Sequence, residues 1–353
     1  MLVLENIPLA PLTTIKIGGP ARYFVEASNI GEVQEAFSYA RSHDLPLFVL
    51  GGGSNLVIAD AGWPGLVLKI AIQGINQVQR SSHDEDGRIL FDAGAGESWD
   101  KFVSHTVMAR CAGVECLSGI PGSVGGTPVQ NVGAYGQEVS ETIDSVQVLD
   151  ARDGHVRELC PEACGFSYRS SIFNTTDRGR FIVLRVTYAL IPEGKPRITY
   201  ADLKRHFERR ETPPNLAETR EAVRHIRALK GMLISPGDLD CLSAGSFFKN
   251  PVLSEEQHED LKQRAAARGL TLPSYPALEA RKKVSAAWLV ERAGFAKGFG
   301  FGRVGISTRH ALAIVNRGAA TAADVLALKE QIQHRVEEIW GVRLEPEPVM
   351  VGF

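Results

Sequence analysis

The residues that most suggest chemistry are glycines set among neutral hydrogen-bond donors. Gly51-Gly52-Gly53-Ser54-Asn55 follows the apolar run Leu45–Leu50 and leads into Leu56. A strand that breaks into such a turn frees several backbone N–H groups, and glycine lets an anion approach them closely. Taken alone, the pentapeptide reads equally well as a plain β-turn. A second stretch, Ser118–Gly136 (SGIPGSVGGTPVQNVGAYG), shifts that balance. Its neutral donors are Ser118, Ser123, Thr127, Gln130 and Asn131, and it carries almost no charge. A solvated linker usually holds Lys or Glu, so the pair of loops reads as a cradle for a buried polar ligand, with a structural Ω-loop as the alternative. The first loop offers Gly51, Gly52, Gly53, Ser54, Asn55 and Leu56 to such a ligand. The second offers Ser118, Gly119, Ile120, Pro121, Gly122, Gly125 and Gly126, then Thr127, Pro128, Asn131, Gly133, Ala134, Tyr135 and Gly136. Two familiar phosphate motifs are excluded. No Lys-Ser/Thr follows the glycines, and Gly51-x-Gly53-x-x-Leu56 lacks the third glycine of a dinucleotide fingerprint.

A few side chains stand out against this background. Arg169, in GFSYRSSIF, is a guanidinium in a neutral stretch, read either as a surface charge or as a planar clamp for a carboxylate. Ser246, in AGSFFKNP beside Lys249 and Asn250, has no evident His/Asp relay, so serine-hydrolase chemistry is excluded and a turn residue is the plain reading. Glu345 and Glu347 in LEPEP stand two apart on an extended segment near the chain end, expected to point to opposite sides, one to a site and the other to solvent. Tyr200, in ITYADL, reads as a strand-end aromatic, and Arg227 with Lys230 as part of a solvated basic helix face.

The elements that must position these residues follow from pattern. Ala21–Ala27 alternates as a strand, Asn29 with Glu32 starts a helix carrying Val33, Phe37 and Ala40, and Leu45–Leu50 returns as a strand into the first glycine loop. Further strands are expected at 66–70, 89–92, 146–150 and 181–191, with a helix from about Ser98 to Ala112. Residues 193–215 turn to Pro, Lys, Arg and Glu, and Thr212-Pro213-Pro214 breaks any regular element. Asn215 then caps a helix with Ala222, Val223, Ile226 and Leu229 inward and Arg220, Arg224, Arg227 and Lys230 outward. A later helix runs from Thr321 to Gly341 on the stripe Val325, Leu328, Ile332, Val336 and Ile339.

At 353 residues the chain has room for two or three domains. A net charge of −2 gives no footprint for nucleic acid or an acidic membrane. No run of about 18 apolar residues is long enough to span a bilayer, and the N-terminus does not read as a secretory signal. Five cysteines without zinc spacing argue for structural thiols in a reducing cytoplasm, and no metal site is expected.

Read in order, TIKIGGPARYF, VLGGGSNLV, SGIPGSVGGTPVQNVGAYG, GFSYRSSIF, AGSFFKNP and LEPEP resemble the motif set of the UDP-N-acetylenolpyruvoylglucosamine reductase family, from about Thr13 to Glu347. The resemblance is to the longer subgroup with a substrate-loop tyrosine. It implies an α+β chain with the vanillyl-alcohol-oxidase-type (PCMH-type) FAD fold. The implied domains are 1–66 and 67–215 for FAD, 216–341 for substrate, and a C-terminal segment 342–353. It also implies FAD held by the two glycine loops, NADPH as hydride source, ping-pong kinetics, and UDP-N-acetylglucosamine enolpyruvate as the substrate reduced on the way to peptidoglycan. In that frame Arg169 binds the substrate carboxylate, Ser246 is the general acid and Glu347 the catalytic carboxylate, with Glu345 in reserve. Tyr135, Tyr200, Arg227, Lys230 and Asn250 contact substrate. Where many relatives read Lys-Leu-Pro, this chain has Lys230-Gly231-Met232. A monomer is expected. The competing readings are an FAD-dependent sugar or alcohol oxidase of the same fold and a nucleotide-binding module without turnover. Many such oxidases tether FAD through a histidine at a place held here by Ser54-Asn55, so non-covalent FAD is expected.

Overall fold

A computed structural model describes residues 1–78, 87–277 and 280–353. The chain divides into two compact units. Unit 1 comprises 1–7, 21–53 and 63–229, and unit 2 comprises 8–20, 54–62 and 230–353. This differs from a linear division at 215/216: residues 216–229 stay with unit 1, and two short N-terminal segments join unit 2.

Unit 1 opens as β-α-β. Helix α1 (Ile30–Ser42) starts where the Asn29 side chain accepts from the Glu32 N–H, and it buries Val33, Ala36, Phe37 and Ala40. The strands Pro20–Ala27 and Leu47–Leu50 both run parallel to Trp63–Ile70, which lies between them. The buried run of Trp63–Ile70 fits a strand covered on both faces. A second, antiparallel sheet is ordered Val156–Leu159, Ile143–Asp150, Phe181–Pro192, Ile89–Gly94 and Ile75–Val78. Its long strand Phe181–Pro192 buries Ile182, Leu184, Val186, Tyr188 and Leu190. Helix α2 (Trp99–Met108) packs on the same core through Trp99, Phe102, Val103 and Thr106.

Helix α2 ends earlier than its apolar pattern suggested. Arg110 turns left-handed at φ +57°, and Cys111–Ala112 pair with Ile191–Pro192 instead of extending the helix. The Pro- and Lys-rich stretch also holds a short helix, α3 (Ala201–Phe207), directly after Tyr200.

Helix α4 (Leu216–Leu229) corrects the expected face assignment. Its buried residues are Leu216, Thr219, Ala222, Val223, Ile226 and Arg227, while Leu229 is exposed. Thr219, Val223 and Arg227 follow one another at i+4, so the guanidinium continues the inner ridge; Leu229 lies off that ridge, at the last position of the helix.

Unit 2 is built on helices α5 (Glu255–Ala266), α6 (Ala286–Arg292) and α7 (Ala322–Trp340) with two small antiparallel sheets. Its core gathers Phe247, Phe248, Leu289, Ile314, Leu328, Ile332 and Trp340 with Ile15, Ile17 and Val57 from the N-terminal segments. Thr321 and Asp324 form the capping box of α7, and Gly341, at φ +69°, ends it. Asp60 adds a cap from far away in sequence, accepting from the Ala322 and Ala323 N–H groups at 2.8 and 3.1 Å. Ile339, expected on the inner stripe, is only partly buried; Trp340 fills that end of the core. The strand Val349–Val351 pairs in parallel with Leu56–Ile58.

Candidate active site

The strand Leu47–Leu50 delivers the first glycine loop to the second. A Cβ at Gly52 would lie 2.5 Å from the Gly122 Cα, so the two loops meet backbone against backbone, a distance only glycine permits. Gly53 is left-handed at φ +64°, turning the chain out of the strand. A Cβ at Gly51 would come within 2.9 Å of Ser123 Oγ. That hydroxyl is buried and has no hydrogen-bond partner, the state of a group shaped for a ligand. Gly125 sits against Ala95, whereas a Cβ at Gly126 would meet nothing within 4 Å. Close-packed glycines, an orphaned hydroxyl and an open glycine fit a phosphate-bearing cofactor at these loops.

Side chains from behind hold the second loop. Gly119 is fixed at both ends of its backbone: its N–H donates to Asp100 at 2.6 Å, and its carbonyl accepts from Arg227 Nε at 3.1 Å. Asp100 also receives Arg220 at 2.7 and 3.0 Å and Arg224 at 2.6 Å. Burial pushes the Asp100 carboxyl upward, but Arg220, the Gly119 N–H and Arg224 together hold it below its usual range. Pattern did not single out Asp100, because its partners lie on α4 and in the loop. Ser118 Oγ donates to the Glu115 carbonyl, Thr127 Oγ1 bonds the Val124 carbonyl and the Tyr188 hydroxyl, and both side chains are buried. The Asn131 side chain bonds Glu138, the Ser167 carbonyl and the Ser140 N–H, so it braces the loop. Ile120, Pro121 and Ala134 are partly buried along the loop, and Pro128 is buried.

Arg169 stands in a tight turn whose neighbours Ser167 and Ser170 bond each other in both directions. Its backbone is left-handed at φ +55°, and its Nη2 donates to the Gly133 carbonyl at 2.8 Å. The guanidinium is thereby drawn onto the loop that holds Tyr135. The Tyr135 ring meets that of Tyr200 edge-on, with centroids 5.4 Å apart.

Unit 2 brings Ser246 and Glu347 onto neighbouring segments. The Glu347 N–H donates to the Phe247 carbonyl at 2.9 Å, Phe248 bridges Pro346, and the Lys249 N–H donates to the Glu345 carbonyl at 3.0 Å. Phe247 and Phe248 are buried anchors, leaving Ser246 half-buried between them and left-handed Gly245. Glu347 is half-buried, whereas Glu345 is exposed and pairs with Lys249 Nζ at 3.4 Å. A regular strand would point residues two apart to one face; here the intervening and following prolines leave irregular chain, and the two acids differ in exposure. The Glu347 carbonyl accepts from Asn55 Nδ2 at 3.2 Å, and Val349 N–H donates to the Asn55 carbonyl at 2.9 Å. Leu56 then begins the strand paired with Val349. Asn250 uses its side-chain oxygen to receive the Ala286 N–H at the start of α6. Lys230, half-buried, opens unit 2; Arg169, Arg227, Tyr135 and Tyr200 belong to unit 1.

Glycine loops in a mixed α+β chain, shaped for a phosphate-bearing cofactor, define a nucleotide-cofactor-binding protein, and its family matches make it a flavin-binding oxidoreductase. Residues 21–159 match the FAD binding domain family, and residues 237–351 match the UDP-N-acetylenolpyruvoylglucosamine reductase C-terminal domain. The UDP-N-acetylenolpyruvoylglucosamine reductase of Thermobifida fusca is 45% identical over 99% of this chain and 98% of its own length. That of Streptomyces coelicolor is 46% identical over 99% of this chain and 90% of its own. The crystal structure of the Thermus caldophilus reductase superposes with a TM-score of 0.66 at 28% identity, covering 99% of both chains. This chain therefore belongs to the UDP-N-acetylenolpyruvoylglucosamine reductase family. Among the described residues no helix is long and apolar enough to cross a membrane.

Proposed function

We propose that this protein uses NADPH and bound FAD to reduce the enolpyruvyl group of UDP-N-acetylglucosamine enolpyruvate, giving UDP-N-acetylmuramate. When bound, FAD would supply the redox chemistry between NADPH and the substrate. Gly51–Gly53 and the Gly119–Gly126 stretch, with the Ser123 hydroxyl, would hold its phosphates. Everything else falls to side chains acting on the substrate.

Hydride addition to the terminal carbon of the enolpyruvyl ether builds negative charge on the carboxylate side, as an enolate. Arg169 offers two N–H groups to that carboxylate and stabilises the charge as it grows. The Ser246 hydroxyl gives its proton to the carbon next to the carboxylate, an acceptor basic enough to take it from an alcohol. Glu347 stabilises the enolate as a hydrogen-bonding partner. Tyr135 and Tyr200 meet the nucleotide, Lys230 meets the diphosphate, and Asn250 lies beside the sugar acid. Arg227, buried behind Gly119, acts through the loop it holds.

Beyond family membership, the observation that carries this reading is the pairing of the Ser246 and Glu347 segments through the Glu347 N–H and the Phe247 carbonyl. It supports the reading by bringing the residues Ser246 and Glu347 onto paired segments, one residue out of register. The test is NADPH oxidation by flavin-loaded protein with and without UDP-N-acetylglucosamine enolpyruvate. A substrate-dependent rate is expected, and none would remove the assignment. Acid denaturation should release free FAD; flavin retained on the protein would favour the oxidase reading.

A further inference from the structure

One buried carboxylate of unit 1 has no part in the chemistry above. Glu115 is 0% exposed and lies in the helical turn Glu115–Leu117, just ahead of the second glycine loop. A carboxylate taken out of water persists only where donors replace the lost hydration. Three do so here. The Gly113 N–H reaches Oε2 at 2.8 Å, while Gln137 Nε2 and the Arg197 N–H reach Oε1 at 2.8 and 2.9 Å. They come from its own turn, from the far end of the glycine loop, and from the segment leading to Tyr200.

The same three regions are cross-linked around it. Gln137, 3% exposed, accepts the Cys116 N–H at 2.8 Å, and the Cys116 thiol donates to the Arg197 carbonyl at 3.2 Å. Arg197 Nη1 donates to the Gly136 carbonyl at 3.0 Å and pairs with Glu141 at 2.6 Å. Gly136 is left-handed at φ +87°, and a Cβ there would fall 2.4 Å from Thr199 Oγ1. Residues 197–199 therefore lie directly on the last glycine of the loop. Cys116, Tyr135 and Leu203 share one apolar cluster with α4, and Ile198 packs against it.

We propose that Glu115 is a positioning residue for nucleotide recognition. Its carboxylate clamps the segment leading to Tyr200 onto the end of the second glycine loop, so that Tyr135 and Tyr200 stand as a pre-formed aromatic corner for the nucleotide of the substrate. Pre-forming the corner removes the ordering cost from the binding step. A carboxylate suits the place because every group aimed at it is a donor, and a glutamine would turn an NH2 toward one of them. The proposal rests on the reading that Tyr200 meets the nucleotide.

The test uses the FAD-loaded full chain. Glu115→Gln is expected to raise KM for UDP-N-acetylglucosamine enolpyruvate about tenfold, the loss of one charge-assisted bond. Flavin content and the stopped-flow rate of flavin bleaching by NADPH should stay unchanged. Adding Gln137→Glu, which reverses the pair, is expected to recover part of the KM. Bleaching and KM impaired together, or an unchanged KM, would overturn the proposal. Should Glu115→Gln fail to fold, Arg197→Ala removes the partly exposed link to Gly136 and should raise KM about threefold with bleaching intact; an unchanged KM there is equally fatal. Tyr200→Ala separates the two layers of the argument. If it leaves KM unchanged, the nucleotide reading of Tyr200 fails; if it raises KM while Glu115→Gln does not, the clamp alone fails.

Discussion

Arg169, Tyr135 and Asn131 all adopt left-handed backbone, at φ +55°, +50° and +44°. Each such residue costs roughly 1–3 kcal/mol and persists only where its surroundings over-determine it. The determinants are visible: Arg169 is tied to the Gly133 carbonyl, and Asn131 to three partners around the loop. Strain of this kind is kept where a side chain must point one way. Arg169→Ala should therefore lower kcat/KM for enolpyruvyl reduction about 100-fold, roughly the worth of a bidentate charged contact, while FAD stays bound. Steady-state kinetics alongside the flavin-to-protein absorbance ratio would check the split, and loss of flavin would contradict it. Ser246→Ala should leave flavin bleaching by NADPH intact and slow product formation about 10²–10⁴-fold, the usual span for a positioned proton donor. Near-normal turnover by product assay would take Ser246 out of the reaction.

Among the elements, the two glycine loops differ in what their glycines are for. Gly52 is needed by the protein itself, since its Cβ would strike the Gly122 backbone. Gly126 is not, because its Cβ would meet nothing within 4 Å. Gly52→Ala is expected both to lower the Tm of flavin-free protein and to cost FAD. Gly126→Ala should leave that Tm within about 1 °C and weaken FAD alone, a comparison open to thermal melts and flavin titration. If Gly126→Ala binds FAD normally, the open side of the loop does not face the cofactor. Helix α4 shows the complementary lesson: its charged residues serve the loop through Asp100 and Gly119, so a basic helix face became structural scaffolding.

At the scale of the whole molecule, each unit is assembled from discontinuous chain. Unit 2 takes Ile15, Ile17 and Val57 into its core, and its last strand, Val349–Val351, pairs with Leu56–Ile58. A fragment of residues 230–353 lacks those partners and should not fold alone; far-UV circular dichroism with a cooperative melt would contradict this. Acid should also unfold the chain through a shared cause. Arg180 holds Asp150 low, and Arg309 holds Asp238 low. At Asp240 burial works upward, but bonds from Thr308 and Arg309 outweigh it, and Asp100 is likewise held low. A carboxyl held below its ordinary 3.8 binds fewer protons folded than unfolded. Its stabilisation is thus complete above that value and is lost as pH falls through the folded value. Calorimetry should find Tm falling steeply below about pH 4, and a Tm unchanged down to pH 3 would count against these pairs.

What the sequence by itself determined was local. The Asn29 cap of α1, the Thr321–Asp324 box and Gly341 stop of α7, the strand Phe181–Pro192 and both glycine loops rest on residues a few positions apart, where propensity and periodicity act directly. The ordered motifs were enough to point to the family. Tertiary structure decided which of two similar residues turns inward. Arg227 is buried and Leu229 exposed because the i+4 ridge of α4 ends on the Gly119 carbonyl, a partner 108 residues away. Asp100, Glu115 and Asp60 draw on donors 120, 82 and 262 residues away, and Asn55 reaches Glu347 across 292 residues. A hydrogen bond formed at that separation leaves no period or spacing in the chain, since it depends only on where folding brings two backbones together.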